Sequence, residues 1–216
     1  MENMDTSHVD LAQLPSLIET LEKKIKASPA AQTMMTLGNA YYLSGAIEKA
    51  IAVFERVVTM NPKLAYSYYY LGICHYRAAR LKKAIGNLQK VIELSPDFVM
   101  AYYWMGIIHW HLGQFQKARS CFEELLKRNS ESPIAHFHAA QACMDDHAYE
   151  CAVNHLEALS QITKDDSKVF FLLGQCYYRL NKTDLAIKAY KRALKLSPEN
   201  QEIRKALNYL TEVQEP

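Results

Sequence analysis

Residues 65–98 read AYSYYYLGICHYRAARLKKAIGNLQKVIELSPDF, and residues 99–132 read VMAYYWMGIIHWHLGQFQKARSCFEELLKRNSES. Laid one over the other, they place Leu71-Gly72 on Met105-Gly106, Ala84 on Ala118 and Leu88 on Phe122. The register extends in both directions. Gly38, Gly72, Gly106 and Gly174 are 34, 34 and 68 residues apart, with Ala140 at the skipped place. Ala50, Ala84, Ala118, Ala152 and Ala186 keep the same period without exception. Two series locked to one period identify an internal repeat.

Each unit reads as two helices. Leu37, Leu71, Met105, Ala139 and Leu173 precede the small residue, and Phe54, Leu88, Phe122, Leu156 and Tyr190 lie one helical turn after the alanine. Pro62, Pro96 and Pro198 close the first, second and fifth units, where a residue without an amide hydrogen stops a helix. Glycine or alanine at a helix crossing lets the axes approach, and the large residue opposite fills the gap. Gly45, Gly113 and Asn181 suit a left-handed turn between the helices, whereas Ala79 and His147, at the same place, call for another solution.

The pattern resembles the tetratricopeptide repeat family: a large residue, Leu-Gly, Tyr, a small Ala, an aromatic, another small residue and a closing Pro. The first unit carries it as Met34, Leu37-Gly38, Tyr41, Ala50, Phe54, Val57 and Pro62, and the fifth as Phe170, Leu173-Gly174, Tyr177, Ala186, Tyr190, Ala193 and Pro198. The resemblance implies an all-α fold, a right-handed α-solenoid or superhelix of helical hairpins. Its units are residues 31–64, 65–98, 99–132, 133–166 and 167–200. The fourth is degenerate, with Ala139-Ala140 for Leu-Gly, Cys143 for Tyr and Lys164 for Pro. Residues 11–30 carry Leu17, Ile18, Leu21 and Ile25 at helical spacing and read as half a repeat. Residues 201–216 read as a capping helix with a polar back, which a solenoid end requires. Residues 1–10 read as a disordered tail, and the whole as a single solenoid domain.

In this family the second face of each first helix lines a concave groove, with polar residues usual at positions 2, 6 and 9 of the unit. Here those positions hold Tyr66, Met100 and Ile134, then Tyr70, Trp104 and Leu172, then Ile73 and Ile107. With Tyr69, Tyr76, Tyr103, Trp110, Phe137, Phe171 and Tyr178 they form an expected apolar lining. An extensive apolar surface of this kind marks an interaction site. The implied partner is a protein or peptide with an apolar or amphipathic segment. A second copy of the chain, inserting its residues 14–27 and forming a homo-oligomer scaffold, is the alternative. Arg77, His111, Lys168 and Arg179 form a mildly basic rim.

Other chemistries find little support. Chaperone-tail binders of the family place Lys, Asn and Arg where this chain has Met35, Asn39, Tyr70, Met100 and Trp104, so one place in five agrees. No nucleophile elbow or glycine-rich phosphate loop occurs, so no catalytic residue and no cofactor is expected. Cys151 and His155 are one turn apart and offer two zinc ligands, but spacing completes no metal site. The 25 Lys and Arg nearly balance 23 Asp and Glu with no basic run, which argues against nucleic acid. The apolar stretch 98–112 is shorter than the roughly 20 residues of a membrane span, so no membrane insertion is expected. No leader pattern opens the chain. Five cysteines at irregular spacing read as reduced thiols in the cytoplasm.

Overall fold

The structure, a computed structural model, describes residues 11–212. The expected tail at residues 1–10 and the last four residues of the cap lie outside the described residues. Twelve α-helices follow a short 3-10 turn, Leu11–Gln13, and no strand occurs among the described residues. They are α1 (Leu14–Ala27), α2 (Ala31–Leu43), α3 (Ile47–Met60), α4 (Ala65–Arg77), α5 (Leu81–Leu94), α6 (Val99–His111), α7 (Phe115–Arg128), α8 (Pro133–Asp145), α9 (Tyr149–Thr163), α10 (Ser167–Arg179), α11 (Thr183–Leu196) and α12 (Gln201–Glu212). The described residues up to Trp104 gather into one compact unit and those from Met105 into a second. No helix among the described residues is long and apolar enough to cross a membrane.

In the first unit the core is built around Phe54, Met34, Val57, Leu37, Leu71 and Cys74. Met34, Phe54 and Val57 are fully enclosed, each burial being worth about 1.5–3 kcal/mol against exposure. Helix α1 adds Leu21 and Ile25 to this core, and the Tyr41 hydroxyl of α2 donates to the Glu22 carboxylate of α1. Its apolar stripe is therefore covered by the chain's own first hairpin. In the second unit one core joins α8, α9 and α10 through Ala140, Cys143, Leu156, Leu159, Leu173 and Cys176. Another joins α11 and α12 through Ala186, Tyr190, Ala193, Ile203 and Leu210.

The small-against-large rule is tight. A Cβ built on Gly38 would stand 2.6 Å from Phe54 Cε1, and one on Gly174 would stand 2.4 Å from Tyr190 Cε1. Only a hydrogen fits there.

Two expectations are corrected. Ala79 and His147 do not find a separate solution at the intra-hairpin turns: their φ angles, 56° and 57°, match the left-handed values at Gly45, Gly113 and Asn181. The turn is held from outside, since the amide after each of them reaches back to the helix, Arg80 N to His75 O at 2.8 Å and Ala148 N to Cys143 O at 2.8 Å. These bonds sustain a conformation that costs a residue with a Cβ about 1–2 kcal/mol. The second correction concerns the thiols. Cys143 and Cys151 form a disulfide across the α8–α9 turn, with Cα atoms 5.9 Å apart, so only Cys74, Cys121 and Cys176 are free. The left-handed turn at His147 folds the two helix ends against each other and brings together cysteines whose spacing carried no such signal.

At the end of the fourth hairpin no proline stands where Pro62, Pro96 and Pro198 stand in others. Helix α9 runs 15 residues, against 14 for α3, α5, α7 and α11, and stops at Lys164 with φ 46°.

Candidate functional site

In the first unit, helices α4 and α6 carry a connected set of rings. Tyr66 is 51% exposed and Met100 41%, both at the second position of their helices, while Tyr69, Tyr70, Tyr76, Tyr103 and Trp104 are half-buried. Trp104 anchors the set: its indole N–H donates to the Tyr69 hydroxyl at 3.3 Å, and its ring lies 5.4 Å from Tyr76 and 5.5 Å from Tyr103. Tyr70 stacks on the buried Phe54 at 5.4 Å, which ties the surface to the core. Burial holds the phenols of Tyr69, Tyr70, Tyr76 and Tyr103 above the ordinary tyrosine pKa, so all four keep their protons near neutral pH and can donate.

Phe98 escaped the sequence pattern, because it precedes α6. It packs edge-on to Tyr66 at 5.0 Å and beside Tyr69 at 4.9 Å, bridging the two. Only its place directly before a helix in an apolar run hinted at this.

In the second unit, Ile134 is 50% exposed and Tyr178 42%, with Trp110, Phe137 and Phe171 half-buried. The Trp110 indole donates to Asp145 Oδ2 at 2.6 Å, a partner the spacing did not indicate. Ile73, Ile107 and Leu172, expected among the lining residues, are buried at 6%, 7% and 8% exposure. Ile73 and Ile107 occupy the middle of their helix faces, between positions carrying rings, and are buried there all the same. Leu172 is drawn into the core between α8, α9 and α10.

The rim charges are held by aromatic faces. The Arg77 guanidinium lies 4.8 Å from the Tyr42 ring centre and donates to the Tyr42 carbonyl at 3.1 Å. Lys168 lies over Phe137 at 4.7 Å, Arg179 over Tyr149 at 5.1 Å, and His111 sits beside Trp110 at 5.2 Å. The three Lys and Arg contacts are worth about 0.5–1 kcal/mol each at exposed sites and fix those cations in place.

The fourth hairpin assembles more than the two zinc-type ligands legible from spacing. Cys143, Cys151 and His155 bring their ligand atoms within 4.8 Å of one another. His136 Nδ1 stands 3.3 Å from His155 Nδ1. Burial, then the neighbouring His136 and Arg119, hold the His155 imidazole down to a pKa of about 4. It is neutral at physiological pH.

Comparison with known proteins places these features in context. Residues 167–200 and 105–159 match the tetratricopeptide repeat family, and residues 43–125 match the family described as anaphase-promoting complex, cyclosome, subunit 3. A stretch of 57 residues is 42% identical to the inactive peptidyl-prolyl cis-trans isomerase shutdown of Bombyx mori, covering 26% of this chain. The match spans 13% of that relative's length. Among solved structures, YrrB, described as a TPR protein with an unusual peptide-binding site, aligns with TM-score 0.75 at 17% identity, over 88% of this chain and 99% of its own. MamA aligns with TM-score 0.73 at 20% identity, over 78% of this chain and 92% of its own. At such identities the likeness is one of fold: an all-α solenoid of helical hairpins.

Proposed function

The chain is a tetratricopeptide repeat protein, and on that premise we propose that it is a non-enzymatic interaction scaffold whose α4–α6 aromatic patch holds an apolar or amphipathic segment of a partner protein. The observation that carries this is the exposure of Tyr66 and Met100 beside a half-buried set of rings already cross-linked by hydrogen bonding and stacking. A core side chain gains nothing from standing half in water. A preorganised ring surface with protonated hydroxyls loses few rotors on binding and offers donors as well as apolar area, the combination found at binding hot spots. In the second unit Ile134, Phe137, Phe171, Tyr178 and Trp110 offer a further surface of the same chemistry. That YrrB is described as carrying a peptide-binding site on a similar fold supports the class of partner.

The alternative occupant, helix α1 of another copy, is less favoured, because Leu21 and Ile25 of α1 are already buried against α2 and α3 of the same chain. The test is calorimetric titration of a peptide selected from a random library on the immobilised chain. Tyr66→Ser combined with Met100→Ser, both exposed, is expected to weaken binding while leaving thermal unfolding unchanged. Trp104→Ala is expected to cost about 2 kcal/mol of binding or more. Equal affinity in the double variant would remove the proposal, and a rise in mass with concentration, lost on deleting residues 1–28, would favour self-assembly.

A further inference from the structure

The fourth hairpin departs from the repeat pattern at four places that converge in space. His136, Cys143, Cys151 and His155 occupy them. In the fifth hairpin, 34 residues on, the same places hold Phe170, Tyr177, Leu185 and Ala189; in the third they hold Tyr102, His109, Lys117 and Cys121. Only the fourth has an imidazole or a thiol at every one, and it does so where it gives up the packing tyrosine. Lys49, Lys83, Lys117 and Leu185 are exposed at the place where Cys151 is half-buried.

Geometry sorts the four into a ligand set. Cys143 stands near the end of α8 and Cys151 near the start of α9, with the turn bringing their Cα atoms to 5.9 Å. His155 follows one turn along α9 on the same face, and the ligand atoms of these three lie within 4.8 Å. His136, on α8, stands beside His155 and outside that three-residue set. Its Nε2 lies 3.0 Å from the Ser130 carbonyl, which only accepts, so the proton sits on Nε2 and the Nδ1 lone pair points away from it. That Nδ1 is 3.3 Å from His155 Nδ1. Two nitrogens on one tetrahedral zinc, with bonds of about 2.0–2.1 Å, are separated by about 3.3–3.4 Å. A ligand histidine anchored through its other nitrogen to a carbonyl is the usual outer-shell arrangement. Arg119 Nη1 stands 3.9 Å from Cys151 Sγ. Cys143 is buried at 1% exposure, while the other three are half-buried and leave a way in.

We propose that this cluster is a redox-gated site for one zinc-type divalent cation, bound by Cys143, Cys151, His155 and His136 in the dithiol form and excluded by the disulfide. The disulfide accepts two electrons and two protons from a dithiol reductant, which leaves as its own disulfide. The two thiols then release two protons to solvent as the cation binds. Exchange with a disulfide oxidant reverses both steps, and Zn2+ leaves with its charge unchanged, having no redox chemistry of its own. In either state α8 and α9 stay clamped together, by the ion or by the S–S bond.

The full chain, prepared once as the disulfide and once reduced with a phosphine, is titrated with Zn2+ and with Co2+, and stoichiometry is read by native mass spectrometry. One ion per reduced chain and none per disulfide chain is the expected result, with Co2+ showing tetrahedral bands and thiolate-to-metal charge transfer. Cys151→Ser, His155→Ala and His136→Ala should each weaken binding at least about tenfold, and Cys121→Ser not at all. Helical circular dichroism checks that each variant folds. The wild-type cobalt spectrum needs no variant, and a reduced chain without the thiolate band overturns the proposal. Wild-type affinity in Cys151→Ser, or uptake that depends on Cys121, does the same.

Discussion

Three glycine-to-alanine substitutions in the first unit should separate by the nature of the neighbour alone. At Gly38 a new Cβ would meet Phe54 Cε1 at 2.6 Å and Cζ at 2.7 Å, so the ring must retreat by about 1 Å to reach the ordinary 3.5–4.0 Å separation. Phe54 is fully buried and cannot swing away. Overpacking of this kind costs about 1–3 kcal/mol, and the near end is excluded by a planar ring held on all sides. Alanine recovers about 1 kcal/mol of helix propensity, leaving a net loss of about 1–2 kcal/mol. At Gly72 the neighbours are Leu88 Cγ at 2.9 Å and Cδ2 at 3.1 Å, on an equally buried but smaller aliphatic side chain, and the Ala84 carbonyl oxygen at 3.4 Å. The fourth hairpin already pairs Ala140 with Leu156 in one core, so Gly72→Ala should fall within about 1 kcal/mol of neutral. Gly86 has nothing within 4 Å, and Gly86→Ala should stabilise by about 0.5–1 kcal/mol. Urea unfolding followed by helical circular dichroism gives the order Gly86→Ala above Gly72→Ala above Gly38→Ala, with unchanged slopes. Gly38→Ala as stable as Gly72→Ala would refute the ring-contact reasoning.

Ala79→Gly, which relieves the left-handed φ of 56°, should stabilise by up to about 1 kcal/mol in the same assay, whereas Ala78→Gly should not. His75 is 2% exposed with no hydrogen-bond partner for Nδ1, and burial, then Lys83 and Arg80, hold its imidazole below the usual histidine pKa. The unfolded chain takes up that proton as pH falls below about 6.5 while the folded chain resists, so stability declines toward low pH, and His75→Tyr should remove part of that slope between about pH 7 and pH 5. For the selected peptide, physiological salt should slow association modestly and leave dissociation nearly unchanged, since the rim cations are exposed and their pairs contribute only about 0–1 kcal/mol each. Stopped-flow titration checks this, and binding abolished by moderate salt would point to an electrostatic ligand instead.

The repeat was legible because it rests on contacts between residues whose spacing is constant, Gly38 on Phe54 or Gly174 on Tyr190, which one sequence compares with itself. The aromatic face of α4 and α6 was legible for the same reason. What depended on depth was not: Ile73 and Ile107 share the helix face of the exposed Tyr66 and Met100, yet are 6% and 7% exposed, and angular position does not report depth. What depended on turns was not legible either. Phe98 joins the ring set from outside a helix, and Cys143 meets Cys151 because the backbone at His147 takes a positive φ that its residue type does not announce. Rim cations looked free in the sequence, since their aromatic faces, Tyr42 and Tyr149, belong to preceding helices.

The ring patch contains one of the chain's 2 tryptophans, Trp104, and the other, Trp110, donates to Asp145 in the second unit. A uniformly 15N-labelled chain therefore shows two indole N–H resonances, assigned by Trp110→Phe. On titration with the library-selected apolar peptide, the Trp104 indole resonance should shift saturably, as the N–H that faces the Tyr69 hydroxyl is enclosed by ligand. A peptide that binds with the Trp104 resonance unmoved, while amides of the outer helices α3 and α5 shift, would contradict the placement of the partner on the α4–α6 face.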